Sequence, residues 1–184
     1  MKTEEQYFQE GQLVAEYMDN MSKLKEESFQ IYNGFQVPQD GFVEQLKNAP
    51  LHFLIITEDW CGDAMLNVPI VRKVAEEAGK EVRVVLRDSN VELIDRHLTN
   101  GGRAIPIVLI LNDEGQFVGK WGPRAPELQQ LVDEMRASLP DKEDPTFNDK
   151  QKEMYKTMTR KFVEDKQLWL YVYESVKKKI SDVI

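Results

Sequence analysis

The 184-residue chain carries one cysteine, Cys61, and two histidines. A lone cysteine cannot close an internal disulfide, so the chain is not a stapled secreted scaffold. Any redox chemistry must recruit a second sulfur from outside. His52 and His97 stand in no ligand spacing and H-E-x-x-H is missing, so no metal site is expected and both read as structural or solvated groups. Positive charge is also scarce: 24 Lys and Arg against 32 Asp and Glu leave a net charge of −8. That balance argues against a nucleic-acid partner. No glycine-rich phosphate cradle is present, and no cofactor is expected. Long hydrophobic runs are missing too. The longest, Ala104 to Leu111, has eight residues, against roughly 18 needed to span a bilayer, so no membrane association is expected. The opening Met-Lys-Thr-Glu-Glu-Gln has no apolar stretch behind a basic start, and a cytoplasmic location is expected.

What the chain does have is 41% apolar residues, enough at this length for one compact domain with appendages. Val14, Tyr17, Met18, Met21 and Leu24 fall at helical spacing within Thr3 to Phe29, and Gly11 either interrupts or starts that helix. Phe42, Val43 and Leu46 mark a shorter helix. Leu51 to Thr57 is a nearly continuous apolar run, the pattern of a strand covered on both faces. A helix is expected from about Asp63 to Ala78, although Pro69 sits inside it, where proline removes a backbone hydrogen bond. Val82 to Leu86 reads as a strand, Val91 to Leu98 as a short helix, and Ile105 to Leu111 as a strand. Asn112 to Gly115 forms a hairpin turn into a returning strand, Gln116 to Trp121, and Pro126 to Leu139 closes the order β-α-β-α-β-β-α. After the polar linker Pro140 to Pro145, a stripe from Met154 to Ile180 outlines a long helix or a broken pair. The terminal helices are expected to pack together, because each carries an apolar stripe. The cluster Trp169 to Tyr173 serves either that packing or a homodimer surface. Acidic residues around Glu76-Glu77 and Asp141 to Asp144 read as solvated faces.

Cys61 lies in Trp60-Cys61-Gly62-Asp63-Ala64, between an apolar strand and a helix start. Backbone amides at a helix N-terminus stabilise a thiolate, whereas the Asp63 carboxylate opposes it, so the sequence leaves the net direction open. Gly62 leaves room for another chain. Trp60 and Trp121 either line a groove or simply pack.

Trp60-Cys61-Gly62 on a strand-to-helix turn resembles the W-C-G-P-C motif of the thioredoxin superfamily. Pro69, eight residues after Cys61, matches the kinking proline of that family's active-site helix, and Arg103-Ala104-Ile105-Pro106 resembles its G-I-P segment, whose proline is cis and faces the nucleophile. Trp121-Gly122-Pro123-Arg124 is similar to the loop whose glycine lines the substrate groove. The resemblance covers about residues 48–139 and implies a thioredoxin-like α/β fold with a central mixed four-stranded sheet. Residues 1–47 and 140–184 would then be helical additions. Two departures matter: Ala64 replaces the resolving cysteine and Asp63 the proline. W-C-G-D-A with L-T-N-G-G-R-x-I-P looks like a bacterial single-cysteine, thioredoxin-like group.

The resemblance implies a monothiol oxidoreductase acting in cell redox homeostasis, with Cys61 as nucleophile forming a mixed disulfide that an external thiol resolves. Trp60, Gly62, Asp63, Ile105, Pro106 and Gly122 would contact the substrate. Arg103 and Arg124 lie in the two bordering loops, where guanidinium groups suit the carboxylates of an anionic thiol. The expected partner is a disulfide-containing protein or a low-molecular-weight thiol. The alternative is a redox-inactive binding or adaptor module that keeps the groove.

Overall fold

A computed structural model describes residues 1–184. Its elements in chain order are α1 (Glu4–Glu10), β1 (Gln12–Leu13), α2 (Val14–Asp19), α3 (Lys25–Gly34), α4 (Phe42–Lys47), β2 (Leu51–Thr57), α5 (Gly62–Glu77) and β3 (Val82–Leu86). They continue with α6 (Val91–Asp95), β4 (Ile107–Asn112), β5 (Phe117–Trp121), α7 (Pro126–Ala137), α8 (Phe147–Glu164) and α9 (Lys166–Ser181). The strands form one mixed sheet in the order β1-β3-β2-β4-β5. Only β2 and β3 run parallel, and the other pairs are antiparallel.

The expected four strands are present in the expected order, and a fifth joins them. Gln12 and Leu13 pair with Val84 and Arg83 at the β3 edge. That edge strand also divides the N-terminal segment, where one helix was expected from Thr3 to Phe29. Thr3 caps α1 through a capping box with Gln6, and Gly11 ends it. A Cβ on Gly11 would meet the Arg83 side chain and the Val84 carbonyl, each at 3.2 Å, so the chain needs a small residue where it crosses the sheet edge. The tail is likewise a broken pair. α8 and α9 meet at Asp165, whose carboxylate caps α9 by accepting from the Gln167 amide.

β2 is buried nearly throughout because both sheet faces are covered. On one face, Phe53, Val108 and Ile110 meet Val71 and Val74 of α5 and Val176 and Ile180 of α9. On the other, the Phe8 ring of α1 sits edge-on to His52 at 4.5 Å, and His52 pairs with Glu5 at 2.6 Å. Each fully buried Leu or Ile side chain contributes about 1.5–3 kcal/mol, so the sheet centre is the stable anchor on which the Cys61 turn is mounted.

The two terminal segments touch. A Cβ on Gly34 of α3 would lie 3.2 Å from the Trp169 ring, and the Phe35 and Tyr173 rings are 6.2 Å apart. The Tyr173 hydroxyl donates to Asp40, and Lys177 pairs with the same carboxylate at 2.9 Å. Trp169, Val172 and Tyr173 are thus buried within the chain.

Candidate active site at Cys61

The strand β2 ends at Thr57 and α5 begins at Gly62, which makes Cys61 the cap residue of α5. Its sulfur accepts from the Ala64 amide at 3.4 Å, and its thiol donates toward the Ile105 carbonyl at 3.6 Å. That contact places the segment preceding β4 directly against the thiol, and the Ile105–Pro106 peptide there is cis. Gly122 closes the same corner. It has φ +124, and a Cβ there would sit 2.2 Å from the Pro106 carbonyl oxygen, so this contact between the two loops admits only glycine. α5 runs through Pro69 without interruption.

Cys61 is 8% exposed. Burial pushes its thiol up to about 11, with the Asp63 carboxylate adding to the rise. The Ala64 and Asp63 amides and the Arg124 guanidinium pull the other way and are outweighed. The direction left open by the sequence is therefore upward, and at neutral pH the sulfur is a protonated hydrogen-bond donor.

Asp63, 9% exposed, is held by Arg124 through a hydrogen bond of 2.9 Å and a second ion-pair contact of 2.7 Å. Burial raises the Asp63 pKa, while Arg124 and then Arg136 favour its charged form. The Arg124 guanidinium also donates to Gln129 of α7 at 3.0 Å, which fixes the pair to the scaffold. Asn67, one turn further along α5, donates to the Pro123 carbonyl at 2.9 Å. Its side-chain oxygen is buried without a partner.

Cys61 lies in the wall of a cleft of about 580 Å³. Trp60, Gly62, Asp63 and Arg124 share that wall, so five of the expected site residues are brought together there. Ile105 and Pro106 are buried behind the thiol, and Gly122 shapes the loop at Pro106. Arg103 is placed elsewhere. It forms a bidentate pair with Asp95 at 2.8 and 3.0 Å and does not line the cleft. Arg87 links the Arg103 loop to Trp60, donating to the Arg103 carbonyl at 3.1 Å and lying 5.2 Å from the Trp60 ring. Trp60 itself is 47% exposed. Trp121 is buried, with its indole N–H donating to Ser175 of α9 at 2.8 Å, so it packs rather than lining the groove.

The remaining lining was not read from the sequence. Lys23 and Leu24 come from the turn before α3, Arg136 from α7, and Tyr155, Met158, Thr159 and Phe162 from α8. The Met154, Met158 and Phe162 stripe marked α8 as amphipathic, but nothing local says that α8 crosses beside Cys61. No group of three His, Cys, Asp or Glu side chains in the structure is arranged to hold a metal.

The thioredoxin family model matches residues 11–136. This chain belongs to the thioredoxin family. The match spans β1 through nearly all of α7, including the Cys61 turn, and stops short of α8 and α9. A search for curated relatives found no match. Two solved structures are similar over 100% of both chains: a protein of unknown function from Pseudomonas aeruginosa, with TM-score 0.71 and 15% identity, and an HIV epitope-scaffold, with TM-score 0.69 and 15% identity. At that identity they establish a shared fold and nothing about activity. This thioredoxin-family chain thus has the family's strand-to-helix turn and a single thiol. No helix in it is long and apolar enough to cross a membrane.

Proposed function

We propose that this is a monothiol, thioredoxin-like protein of the bacterial cytoplasm that carries out thiol–disulfide exchange through a mixed disulfide at Cys61 and serves cell redox homeostasis. The observation that carries the reading is the placement of Cys61 at the head of α5, its thiol against the Ile105 carbonyl before Pro106 and its side chain in the wall of an open cleft. In the first step the Cys61 thiolate attacks one sulfur of a bound disulfide. The S–S bond breaks, the far sulfur leaves as a thiolate, and Cys61 holds the near sulfur. An external thiolate then attacks that mixed disulfide, carries off the near sulfur as a new disulfide and returns the Cys61 thiolate. Ala64 in place of a second cysteine makes the external thiol necessary. Residues 48–139 would carry this chemistry, and the flanking segments would shape access to it.

The raised thiol sets the character of the exchange. With a pKa of about 11, about one molecule in ten thousand holds a thiolate at pH 7. That thiolate is strongly nucleophilic and a poor leaving group. Exchange therefore starts slowly and the mixed disulfide lasts, which suits a carrier of a bound thiol better than a rapid reductase.

The same burial favours a second reading, a recognition module that binds a partner in the cleft without exchanging electrons. Treatment with a disulfide followed by intact mass separates the two. The exchange reading predicts one adduct on the full chain, absent from Cys61→Ser and removed by an added thiol. Absence of an adduct on the folded chain, with partner binding preserved in Cys61→Ser, would leave recognition as the function.

A further inference from the structure

The charge around the Cys61 cleft runs against the charge of the whole chain. The chain carries −8, yet the cleft lining holds three cations, Lys23, Arg124 and Arg136, and one anion, Asp63. Asp63 is fully engaged by Arg124. Lys23 and Arg136 are exposed, and their side chains take part in no ion pair or side-chain hydrogen bond. The neighbouring depressions differ. The groove between α3 and α8 balances Lys156 and Arg160 with Glu27 and Glu164, and the hollow beside the start of α3 sets Lys25 against Glu26 and Glu27. Compared with these neighbours, the hollow that contains the only thiol is the one with a net positive lining.

Size narrows the occupant further. About 580 Å³ lies within the range of small-ligand sites, and α8 stands along one side, presenting Tyr155, Met158 and Phe162. A wall of that kind limits the approach of a folded protein surface to Cys61 and suits a compact molecule with a short apolar body.

We propose that the Cys61 cleft takes a low-molecular-weight disulfide bearing carboxylates, with Lys23 and Arg136 receiving the carboxylates while its disulfide meets the Cys61 sulfur. This rests on the exchange reading and names its substrate class. The disulfide is itself the oxidant: half of it stays on Cys61 as the mixed disulfide, and the other half leaves as a carboxylate-bearing thiolate that takes up a proton. Each exposed ion pair contributes little alone, so two together give roughly a two- to thirtyfold preference over a neutral analogue at low salt, and screening reduces it.

The test compares 3,3′-dithiodipropionate, 2-hydroxyethyl disulfide and cystamine on the full chain at low ionic strength. The rate of adduct formation at Cys61 is read by intact mass, and each rate is divided by that disulfide's rate with a free alkyl thiol. The proposal predicts the order anionic, neutral, cationic, compressed by added salt. It also predicts an anionic-to-neutral ratio that falls toward one in Lys23→Gln/Arg136→Gln. Both positions are exposed, and the ratio is internal to each variant, so a change in folded fraction does not affect it. Equal normalised rates, or a ratio untouched in the double variant, overturn the substrate class and leave exchange standing. No adduct with any of the three overturns the exchange reading together with this one.

Discussion

Replacing Asp63 with asparagine keeps the shape of the side chain and removes its charge from beside the thiol. The carboxylate is the second contributor, after burial, to the raised Cys61 pKa, and the Arg124 guanidinium that it neutralises acts in the opposite direction. In Asp63→Asn the raising charge is gone and Arg124 faces the thiol uncompensated, so both changes favour the thiolate. An effect of about one pKa unit corresponds to ~1.4 kcal/mol, and the thiolate fraction at pH 7 rises about tenfold. Rates of iodoacetamide alkylation from pH 6 to 12, followed by intact mass, read this directly. The expected result is a profile displaced to lower pH with the same limiting rate at high pH. A higher limiting rate with no displacement would mean that the variant merely opens the site. An unchanged or slower rate at pH 7 would refute the electrostatic account of this thiol. The variant also breaks a pair in which both side chains are 12% exposed, and a loss of about 2 kcal/mol is expected, seen as a drop of roughly 4–8 °C in Tm.

Cys61 holds its proton more tightly in the folded chain, up to about 11, than the ordinary thiol value of 9.0, so its contribution to stability is full below pH 9 and is lost as pH rises through 11. Denaturation curves should therefore show the wild type losing about 3 kcal/mol more than Cys61→Ser between pH 8 and pH 12, and parallel losses would contradict this. Gly122→Ala places a Cβ on the Pro106 carbonyl oxygen at a φ that side chains rarely adopt. It should cost about 3 kcal/mol or more, visible in thermal unfolding, and near-neutral behaviour would mean that the two loops do not meet as described. Tyr173→Phe removes the hydroxyl that donates to both Asp40 oxygens. A loss of about 1–2 kcal/mol is expected, with Tm as the readout and an unchanged Tm as the contrary result.

Features decided by local pattern were legible in the sequence, and features decided by distant contacts were not. Leu51 to Thr57 and Val82 to Leu86 stand in the structure as read, because a strand covered on both faces shows itself as a nearly continuous apolar run, interrupted here only by His52 and Arg83. Pro69 did not break α5, as the family resemblance implied. Near the N-terminus, the apolar spacing from Val14 to Leu24 fits a single helix, but the chain crosses the β3 edge at Gly11 and turns again at Leu24, which adopts a left-handed conformation. Arg103 looked available to a substrate because its loop borders the Cys61 turn. Asp95, eight residues earlier in the chain, occupies it instead. The thiol illustrates the same limit. A helix N-terminus argues locally for a low pKa, whereas the burial that reverses the sign belongs to the folded surroundings of the thiol, among them the loop before β4, which is distant in sequence. Lys23 and Arg136 carried no signal of their own. Their significance comes from the cleft that the fold builds between them.

The most direct test of the account is the pH dependence of mixed-disulfide formation between the folded wild-type chain and 2-hydroxyethyl disulfide. The account predicts a single adduct at Cys61, formed at a rate that climbs about tenfold per pH unit from pH 6 and levels only near pH 11, and removed by an added thiol. Failure to form any adduct on the folded chain across that range would contradict the account.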